Sequence, residues 1–204
     1  IQDRPPRGIC GTGLIDAVAE LLRNGLIDTT GAFISKSEAQ EKFSSEIANR
    51  IIETDNGIEF ILAPAHMTEN QQPVTITQKD IRELQLAKGA IYAGIKILLG
   101  HCGIKESELD AILLAGAFGN FIRRTNALRI GLLPDVPIHR ILYVGNAAGM
   151  GAKMVLVSKS LRKEALAIAK KVKYLELANC IEFQNEFVNA MLFPEQIHNE
   201  GSKQ

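Results

Sequence analysis

Three short windows rich in glycine contain the residue types and spacing that could do chemistry in this 204-residue sequence. They span residues 8–13, 116–119 and 145–151, and they hold eight of the 17 glycines. Glycine lets the backbone approach a ligand closely, and N–H groups at a helix start favour phosphate. Tight turns without a ligand explain any one window, but three together favour a nucleotide site at the carboxyl ends of strands. None matches the P-loop or the Rossmann fingerprint, so those two binding modes are disfavoured.

Lys88 interrupts an otherwise apolar helix face. At 100° per residue it lies on the same face as Ile81, Leu84 and Ile91. One interpretation is a side chain that extends along apolar surface to reach water. The other is a cation directed into a cleft to meet a nucleotide. Gln85, on the neighbouring face, could contact a base or ribose, although a solvated helix surface explains it equally well.

Other chemistry has little support in the sequence. Asp16 is the only acidic residue inside a glycine-led motif, and it is a weak candidate for a catalytic base. No Ser, His and Asp arrangement and no close carboxylate pair argues for hydrolysis by this chain, and no residue is proposed as a metal ligand. Arg123, Arg124 and Arg129 form a basic patch, which we interpret as a solvated helix face, with an acidic protein partner as the alternative.

The elements that must position these residues follow from periodicity and punctuation. Helices are predicted over residues 14–22, with a stop at Gly25, and from a Thr77 capping box to about residue 99. Further helices are predicted over residues 121–133, from 146 to about 157, and from a Ser160 cap to about 175. A hairpin is predicted over 50–62 and further strands over 74–76, 109–115 and 140–144. Residues 31–43 read as polar and irregular. A buried strand, a glycine turn and a helix occur twice in succession, which predicts an α/β fold with crossover helices over a largely parallel sheet.

Composition excludes several classes of function. The formal net charge is zero and the isoelectric point is near 7.1, so the chain lacks the excess of basic residues that nucleic acid or an anionic membrane requires. The longest apolar stretch, residues 111–118, is far shorter than the ~20 residues of a membrane helix. The three cysteines are widely spaced, which argues against a disulfide framework or a zinc ribbon and favours a cytoplasmic location.

At the glycine windows the sequence resembles the C-terminal domain of the reductive activators of corrinoid proteins, which are iron-sulfur ATPases. The resemblance covers nearly the whole chain, and its motifs occur in family order. They are GICGTGLIDAVAELLRNGLID from residue 8, ITQKDIRELQLAKGAIYAGIKILL from 76, ILLAGAFGNFI from 112, NALRIGLLP from 126 and VGNAAGMGAKMVLVS from 144.

The resemblance implies membership of the acetate kinase, sugar kinase, chaperone and actin superfamily. Its fold is ribonuclease-H-like and actin-like, with a mixed sheet flanked by helices. LLAGAFG would correspond to the adenosine motif and VGNAAGMGA to the second connecting motif. The candidate nucleotide-binding residues are therefore Gly11, Thr12, Gly13, Gln85, Lys88, Gly116, Ala117, Phe118, Gly119, Gly145 and Asn146.

The family pattern also includes parts that these 204 residues lack. It has two phosphate-binding segments upstream and an N-terminal ferredoxin domain with a two-iron two-sulfur cluster. The resemblance thus implies that residues 1–204 are a single domain, the adenosine-side C-terminal portion of an incomplete ATPase domain. We expect this portion to be inactive alone, because the phosphate segments lie upstream.

The complete protein would use ATP and Mg²⁺ to drive reduction of a corrinoid from Co(II) to Co(I) in a methyl-transfer corrinoid protein, its partner. The electron would come from the ferredoxin. The sequence leaves open whether the protein is a homodimer. Two alternatives remain: a small-molecule kinase of the same superfamily, and a docking domain whose nucleotide site is vestigial.

Overall fold

Helices and short strands alternate along the chain in the computed structural model, which describes residues 4–119 and 121–195 apart from the side chains of residues 117 and 118. Short 3₁₀ turns lie at Ala65–Met67, Glu106–Glu108 and Ile138–Arg140. The helices and strands are α1 (Gly11–Arg23), α2 (Lys36–Lys42), α3 (Ser45–Ala48), β1 (Ile51–Thr54), β2 (Gly57–Ala63), β3 (Val74–Thr77), α4 (Gln78–Cys102), β4 (Ile112–Ala115), α5 (Gly116–Gly119), α6 (Arg124–Arg129), β5 (Ile141–Gly145), α7 (Ala147–Val157), α8 (Lys159–Lys171) and α9 (Ile181–Met191).

The described strands form two separate sheets. Strands β1, β2 and β3 pair antiparallel in that order, and β4 pairs parallel with β5. The α/β class and a mixture of strand directions are confirmed. The expected largely parallel sheet is found only in the β4–β5 pair, because β1 to β3 follow one another through short connections, which permit only antiparallel neighbours.

The core forms around α1 and the first sheet. Helix α1 buries Ile15, Val18 and Leu22, whose spacing places them on one face. Each such side chain contributes about 1.5–3 kcal/mol when it is removed from water. Ile51 of β1 and Ile76 of β3 are fully buried in the same cluster. The predicted helix, hairpin and strand are therefore confirmed in the first half of the chain.

Helix α4 begins with the predicted capping box. The Thr77 hydroxyl accepts a hydrogen bond from the Asp80 backbone N–H, and the Asp80 carboxylate accepts one from the Thr77 N–H. Gly103 ends the helix in the left-handed conformation, at φ +67°. The helix therefore extends three residues beyond the predicted end at residue 99.

Residues 31–43 are not irregular throughout, so that prediction is wrong for α2. Ser35 and Glu38 form a capping box that starts this short helix. Only Ala39 of α2 is buried. The helix therefore has no apolar stripe that periodicity could have detected, although the Ser-x-x-Glu spacing was present in the sequence.

The helix predicted over residues 121–133 is much shorter, because α6 spans six residues. Gly131 adopts φ +69°, its N–H bonds to the Leu128 carbonyl, and the Leu132 N–H bonds to the Ala127 carbonyl. This is a Schellman motif, which ends a helix. The chain then turns so that Leu132 and Leu133 enter the core.

The last predicted helix also differs in its bounds. Helix α8 is capped by Ser158 and not by Ser160, since the Ser158 hydroxyl accepts a hydrogen bond from the Leu161 N–H at 3.3 Å. It ends at Lys171, and Ile168 and Val172 of the predicted apolar stripe are exposed.

Helix α7 begins after Asn146 as predicted, but none of its residues is buried. None of the described helices has the length and apolar content needed to cross a bilayer.

Candidate functional site

Two glycine loops lie side by side at the carboxyl ends of the parallel strands. Ala115, the last residue of β4, is paired with Gly145 at the end of β5, directly after a shift of register in the ladder. Gly116 and Gly145 adopt φ of +85° and +67°, and a Cβ added to either would meet no atom within 4 Å. The backbone conformation, rather than crowding by protein atoms, therefore requires glycine at both positions. The structure thus brings together the second and third windows.

Gly119 and Asn146 complete the two loops. A Cβ at Gly119 would lie 3.3 Å from the backbone carbon of Leu114, so this glycine permits close packing of the turn against β4. The side chain of Asn146 caps α7, where Oδ1 accepts a hydrogen bond from the Gly149 N–H at 2.9 Å. The predicted side chains of Ala117 and Phe118 lie outside the described part of the chain.

The first glycine window forms the exposed start of α1. Gly11, Thr12 and Gly13 make up its first turn, and no side chain caps it. The Thr12 hydroxyl lies 3.3 Å from the Cys10 sulfur, and this contact, together with the Gly13 backbone, lowers the pKa of the Cys10 thiol. In the part of the chain that the structure describes, α1 packs against α6, whereas α5 packs against β4 and β5.

Gln85 and Lys88 are buried side chains of α4 that bind the backbone of the chain's C-terminal segment. The Gln85 amide donates to the Thr30 carbonyl at 2.9 Å and to the Met191 carbonyl at 3.0 Å. Its Oε1 has no hydrogen-bond partner among the described atoms. The Lys88 ammonium donates to the Leu192 carbonyl. Both side chains therefore hold residues 191–192 against α4, an arrangement that helix periodicity could not reveal.

The Lys88 side chain is only 1% exposed, so it does not extend to water. Burial lowers its pKa to about 8 from the ordinary value of 10.5. Its ammonium lies 5.1 Å from the centroid of the Phe193 ring, which gives a cation–π contact. Lys88 also lines an open cleft of about 710 Å³ that has Arg129, Asp135 and Glu195 on its walls. Its ammonium is bound to the Leu192 carbonyl rather than free in the cleft, and the expectation that it meets a nucleotide stays a prediction.

Asp16 is bound by the helix that follows the second window. Its Oδ1 accepts a hydrogen bond from the Asn126 amide at 2.7 Å, and its Oδ2 lies 3.4 Å from Nε of Arg123. Asn126 is buried and also accepts from Arg129 at 2.9 Å. The carboxylate therefore joins α1 to α6, which is a positioning role.

The basic patch is only in part a solvated helix face, because Arg123 is exposed whereas Arg124 and Arg129 are half-buried, contrary to the sequence-based interpretation. Arg124 donates to the Ile141 carbonyl at 2.9 Å and lies 5.2 Å from the centroid of the Tyr143 ring. The Tyr143 hydroxyl donates to the Ile122 carbonyl at 2.6 Å. Helix α6 and its flanks thus link α1, through Asp16, to strand β5 beside the glycine loops. Sequence reasoning missed this role because it did not pair Arg124 with Tyr143.

A family model described as the C-terminal domain of RACo, the ASKHA domain, matches residues 1–202. The chain belongs to this RACo C-terminal ASKHA family. The resemblance inferred from the glycine motifs is confirmed, and with it the actin-like ATPase fold class. A solved structure named reductive activator for corrinoid, iron-sulfur protein matches with a TM-score of 0.81 at 39% identity, over 95% of this chain and 29% of that one.

Two curated relatives of this RACo-family domain carry related names. The corrinoid activation enzyme RamQ of Eubacterium limosum is 38% identical over 193 residues, which cover 94% of this chain and 32% of the relative. The [Co(II) methylated amine-specific corrinoid protein] reductase of Methanosarcina barkeri is 31% identical over 183 residues, which cover 89% and 28%. The domain thus spans less than a third of the length of these relatives.

Proposed function

We propose that this RACo-family domain is the adenosine-side, nucleotide-binding portion of an ATP-dependent activator, which reduces Co(II) to Co(I) in a methyl-transfer corrinoid protein. The names of both curated relatives support a corrinoid substrate, and one of them specifies Co(II). In this proposal a two-iron two-sulfur ferredoxin domain upstream supplies the electron. The phosphate-binding segments and the Mg²⁺ site also belong to upstream polypeptide.

The observation that carries the proposal is the pair of adjacent glycine loops at the ends of β4 and β5. Both loops are open on the side where a Cβ would project. Both lie at the carboxyl ends of the strands, where α/β folds bind nucleotides. These loops therefore leave space for an adenosine to lie directly against their backbone. ATP would supply the free energy for an unfavourable one-electron reduction, while Gly116 and Gly145 would shape the surface for its base and ribose.

The remaining predicted residues take different parts in this proposal. Gln85 and Lys88 are buried, so they act through the C-terminal segment that they bind and position the cleft beside α4. Asp16 has a positioning role, since Asn126 and Arg123 occupy its carboxylate. This removes the feature on which a small-molecule kinase depended, so we place the activator ahead of it. A docking domain with a vestigial site is the alternative that the experiment below separates.

The setting of the protein is also part of the proposal. Cys10, Cys102 and Cys180 are free thiols, as suits a reducing compartment, and we place the protein in the cytoplasm. The proposed reaction is compatible with a homodimer and does not require one.

The test compares Gly116→Ala with Gly103→Ala in the protein as its gene encodes it. Both glycines have positive φ and open space around the added Cβ, so both substitutions cost a similar ~1–2 kcal/mol of backbone strain. Gly103 ends α4 and belongs to neither glycine loop. We expect Gly116→Ala to weaken ATP binding at least about tenfold, roughly 1.4 kcal/mol, and to slow ATP-stimulated Co(II) reduction. Gly103→Ala should leave both unchanged.

Calorimetry measures the binding, and the absorbance of Co(I) measures the reduction. Equal ATP affinities for the two variants would place adenosine elsewhere. Tight ATP binding together with a phosphorylated small molecule and no cobalt reduction would favour the kinase. Absence of ATP binding in the unmodified protein would favour the vestigial docking domain.

A further inference from the structure

The loop between Ala115 and Ile122, which we call the β4 loop, is attached to strand β5 at both of its ends. At its start, Ala115 pairs with Gly145. At its end, the Ile122 carbonyl accepts a hydrogen bond from the Tyr143 hydroxyl at 2.6 Å. Tyr143 and Gly145 are two positions apart on the same strand. Strand β5 therefore holds the two ends of the β4 loop close to each other.

A second hydrogen bond runs in the opposite direction where the loop ends. Arg124 of α6 donates to the Ile141 carbonyl of β5 at 2.9 Å, and its guanidinium carbon lies 5.2 Å from the centroid of the Tyr143 ring. Each side chain thus binds the backbone of the other's segment. A cation–π contact between them restrains both. We call these three contacts the Arg124–Tyr143 clamp.

Buried residues support the clamp. Ile122 is 5% exposed and Ile141 is fully buried, so the core fixes both residues whose carbonyls accept the hydrogen bonds. Tyr143 pairs with Leu114 of β4. A Cβ at Gly119 would lie 3.3 Å from the backbone carbon of Leu114, so the β4 loop packs directly on its own strand at this point. The clamp therefore lies beside the packed turn of the loop.

The loop after β5 is held by a local contact instead. The Asn146 carbonyl oxygen Oδ1 accepts a hydrogen bond from the Gly149 N–H at 2.9 Å, within the first turn of α7. No side-chain cap holds Gly116 in this way among the described residues, and a Cβ there would meet no atom within 4 Å. Glycine has the most conformational freedom of all residues. The shape of the β4 loop therefore depends on the contacts at its two ends.

We propose that Arg124 and Tyr143 are positioning residues for the nucleotide, which hold the β4 loop in the conformation that accepts adenosine. This inference rests on the proposed function, since it assigns the pair a task in nucleotide binding. A loop that is ordered before binding raises affinity, because the ordering cost is removed from the binding step. Loss of the clamp should therefore weaken ATP binding and leave the rate at saturating ATP unchanged.

Tyr143→Phe in the protein as its gene encodes it is the first test, because it removes the hydroxyl and keeps the ring. We expect it to weaken ATP binding about three- to tenfold in calorimetry, which is the contribution of one hydrogen bond. The KM for ATP in Co(II) reduction should rise by the same factor, with kcat unchanged. Tyr174→Phe is the control. It removes a hydroxyl that donates to Glu176 at 2.8 Å, outside both loops, and should change none of these values.

Arg124→Lys separates positioning from direct contact with the ligand. Lysine keeps the positive charge but loses the planar group that stacks on the Tyr143 ring. We expect Arg124→Lys to weaken the binding of ATP and of adenosine, measured by competition, by the same factor. Weaker binding of ATP alone would mean that Arg124 contacts phosphate, and it would overturn the positioning role. A lower melting temperature with unchanged ATP affinity in both variants would also overturn it, because the clamp would then serve stability only.

Hydrogen exchange without nucleotide separates failure of this inference from failure of the proposed function. We expect Tyr143→Phe to speed exchange of the Gly116–Gly119 amides about threefold or more, and Tyr174→Phe to leave it unchanged. Equal exchange in Tyr143→Phe and the unmodified protein would overturn the clamp, whether or not ATP binds. Absence of ATP binding in the unmodified protein would contradict the proposed function itself, and the positioning role would fail with it.

Discussion

Lys88 and Gln85 place hydrogen-bond donors in the interior and use them to hold a backbone segment. Each donates to a carbonyl of residues 191–192, which are the last residue and the C-cap of α9. Buried polar groups are stable only when they are hydrogen-bonded, and a buried cation has an additional cost in desolvation. For Lys88 this cost lowers the side chain's pKa to about 8. Its protonation state therefore couples to stability in alkaline solution.

We predict that the free energy of unfolding rises between pH 7.5 and 9.5 because of Lys88. The pKa of Lys88 is lowered in the folded protein, so the unfolded chain binds more protons above pH 8, and stability increases with pH through this range. The expected gain is about 1–2 kcal/mol over the interval. Urea unfolding at the two pH values measures it.

The matched controls are Lys88→Met and Lys79→Met, which lie on the same helix. Lys79 is exposed, so its substitution should preserve the pH-dependent gain of the unmodified protein. Lys88→Met should lose that gain while keeping an unbranched chain of similar length. If Lys88→Met shows the same rise as the unmodified protein, the buried ammonium is not the group that titrates.

At the scale of elements, the described helices α1 and α6 end in the same way but meet different surroundings. Gly25 and Gly131 have φ of +70° and +69°, and each follows a Schellman hydrogen-bond pattern. A Cβ at Gly25 would meet nothing within 4 Å. A Cβ at Gly131 would lie 3.0 Å from Cγ of Pro194 and 3.5 Å from Nζ of Lys88. The second helix end therefore also provides space for the C-terminal segment.

We predict that Gly131→Ala destabilises the protein more than Gly25→Ala. Both substitutions cost about 1–2 kcal/mol because alanine is strained at positive φ. Gly131→Ala should cost a further ~1 kcal/mol or more, because the methyl group must displace Pro194. Thermal unfolding of the two variants gives the comparison directly. Equal losses would mean that Pro194 moves aside freely.

At the scale of the whole molecule, the C-terminal segment connects parts that are distant in sequence. The Phe193 N–H donates to the Thr29 carbonyl at 2.8 Å, and its buried ring contacts Lys88 of α4. Helix α9 packs along α4, where a Cβ at Gly89 would lie 3.3 Å from the Met191 nitrogen. The last described residues therefore form a wall of the cleft beside α4 and stabilise the loop after α1.

We predict that Phe193→Ala lowers the free energy of unfolding by about 3–4 kcal/mol, since it removes a fully packed ring and leaves a cavity next to Lys88. Tyr174→Ala removes an aromatic ring that is largely exposed, and it should change stability by less than about 0.5 kcal/mol. Chemical denaturation distinguishes the two. A small loss for Phe193→Ala would show that the segment is not an integral part of the core.

Local signals in the sequence determined much of this domain. The Thr77 capping box, the stop at Gly25 and the two strands that end in glycine depend on interactions within a few residues, so the chain specifies them without its tertiary structure. The family motifs are equally local, and they identified the RACo-type domain. The Ser35 capping box was an equally local signal, and the helix that it starts could have been predicted.

The tertiary structure alone decided what the polar side chains do. Lys88 and Gln85 face backbone carbonyls more than 100 residues away, and Asp16 meets Asn126 across the α1–α6 contact. Helix periodicity assigns a side chain to a face, but it carries no information on which distant segment covers that face. Likewise, the β4–β5 strands were predicted from apolar runs as buried, whereas the exposure of Leu113 and Leu142 became visible only in the tertiary structure.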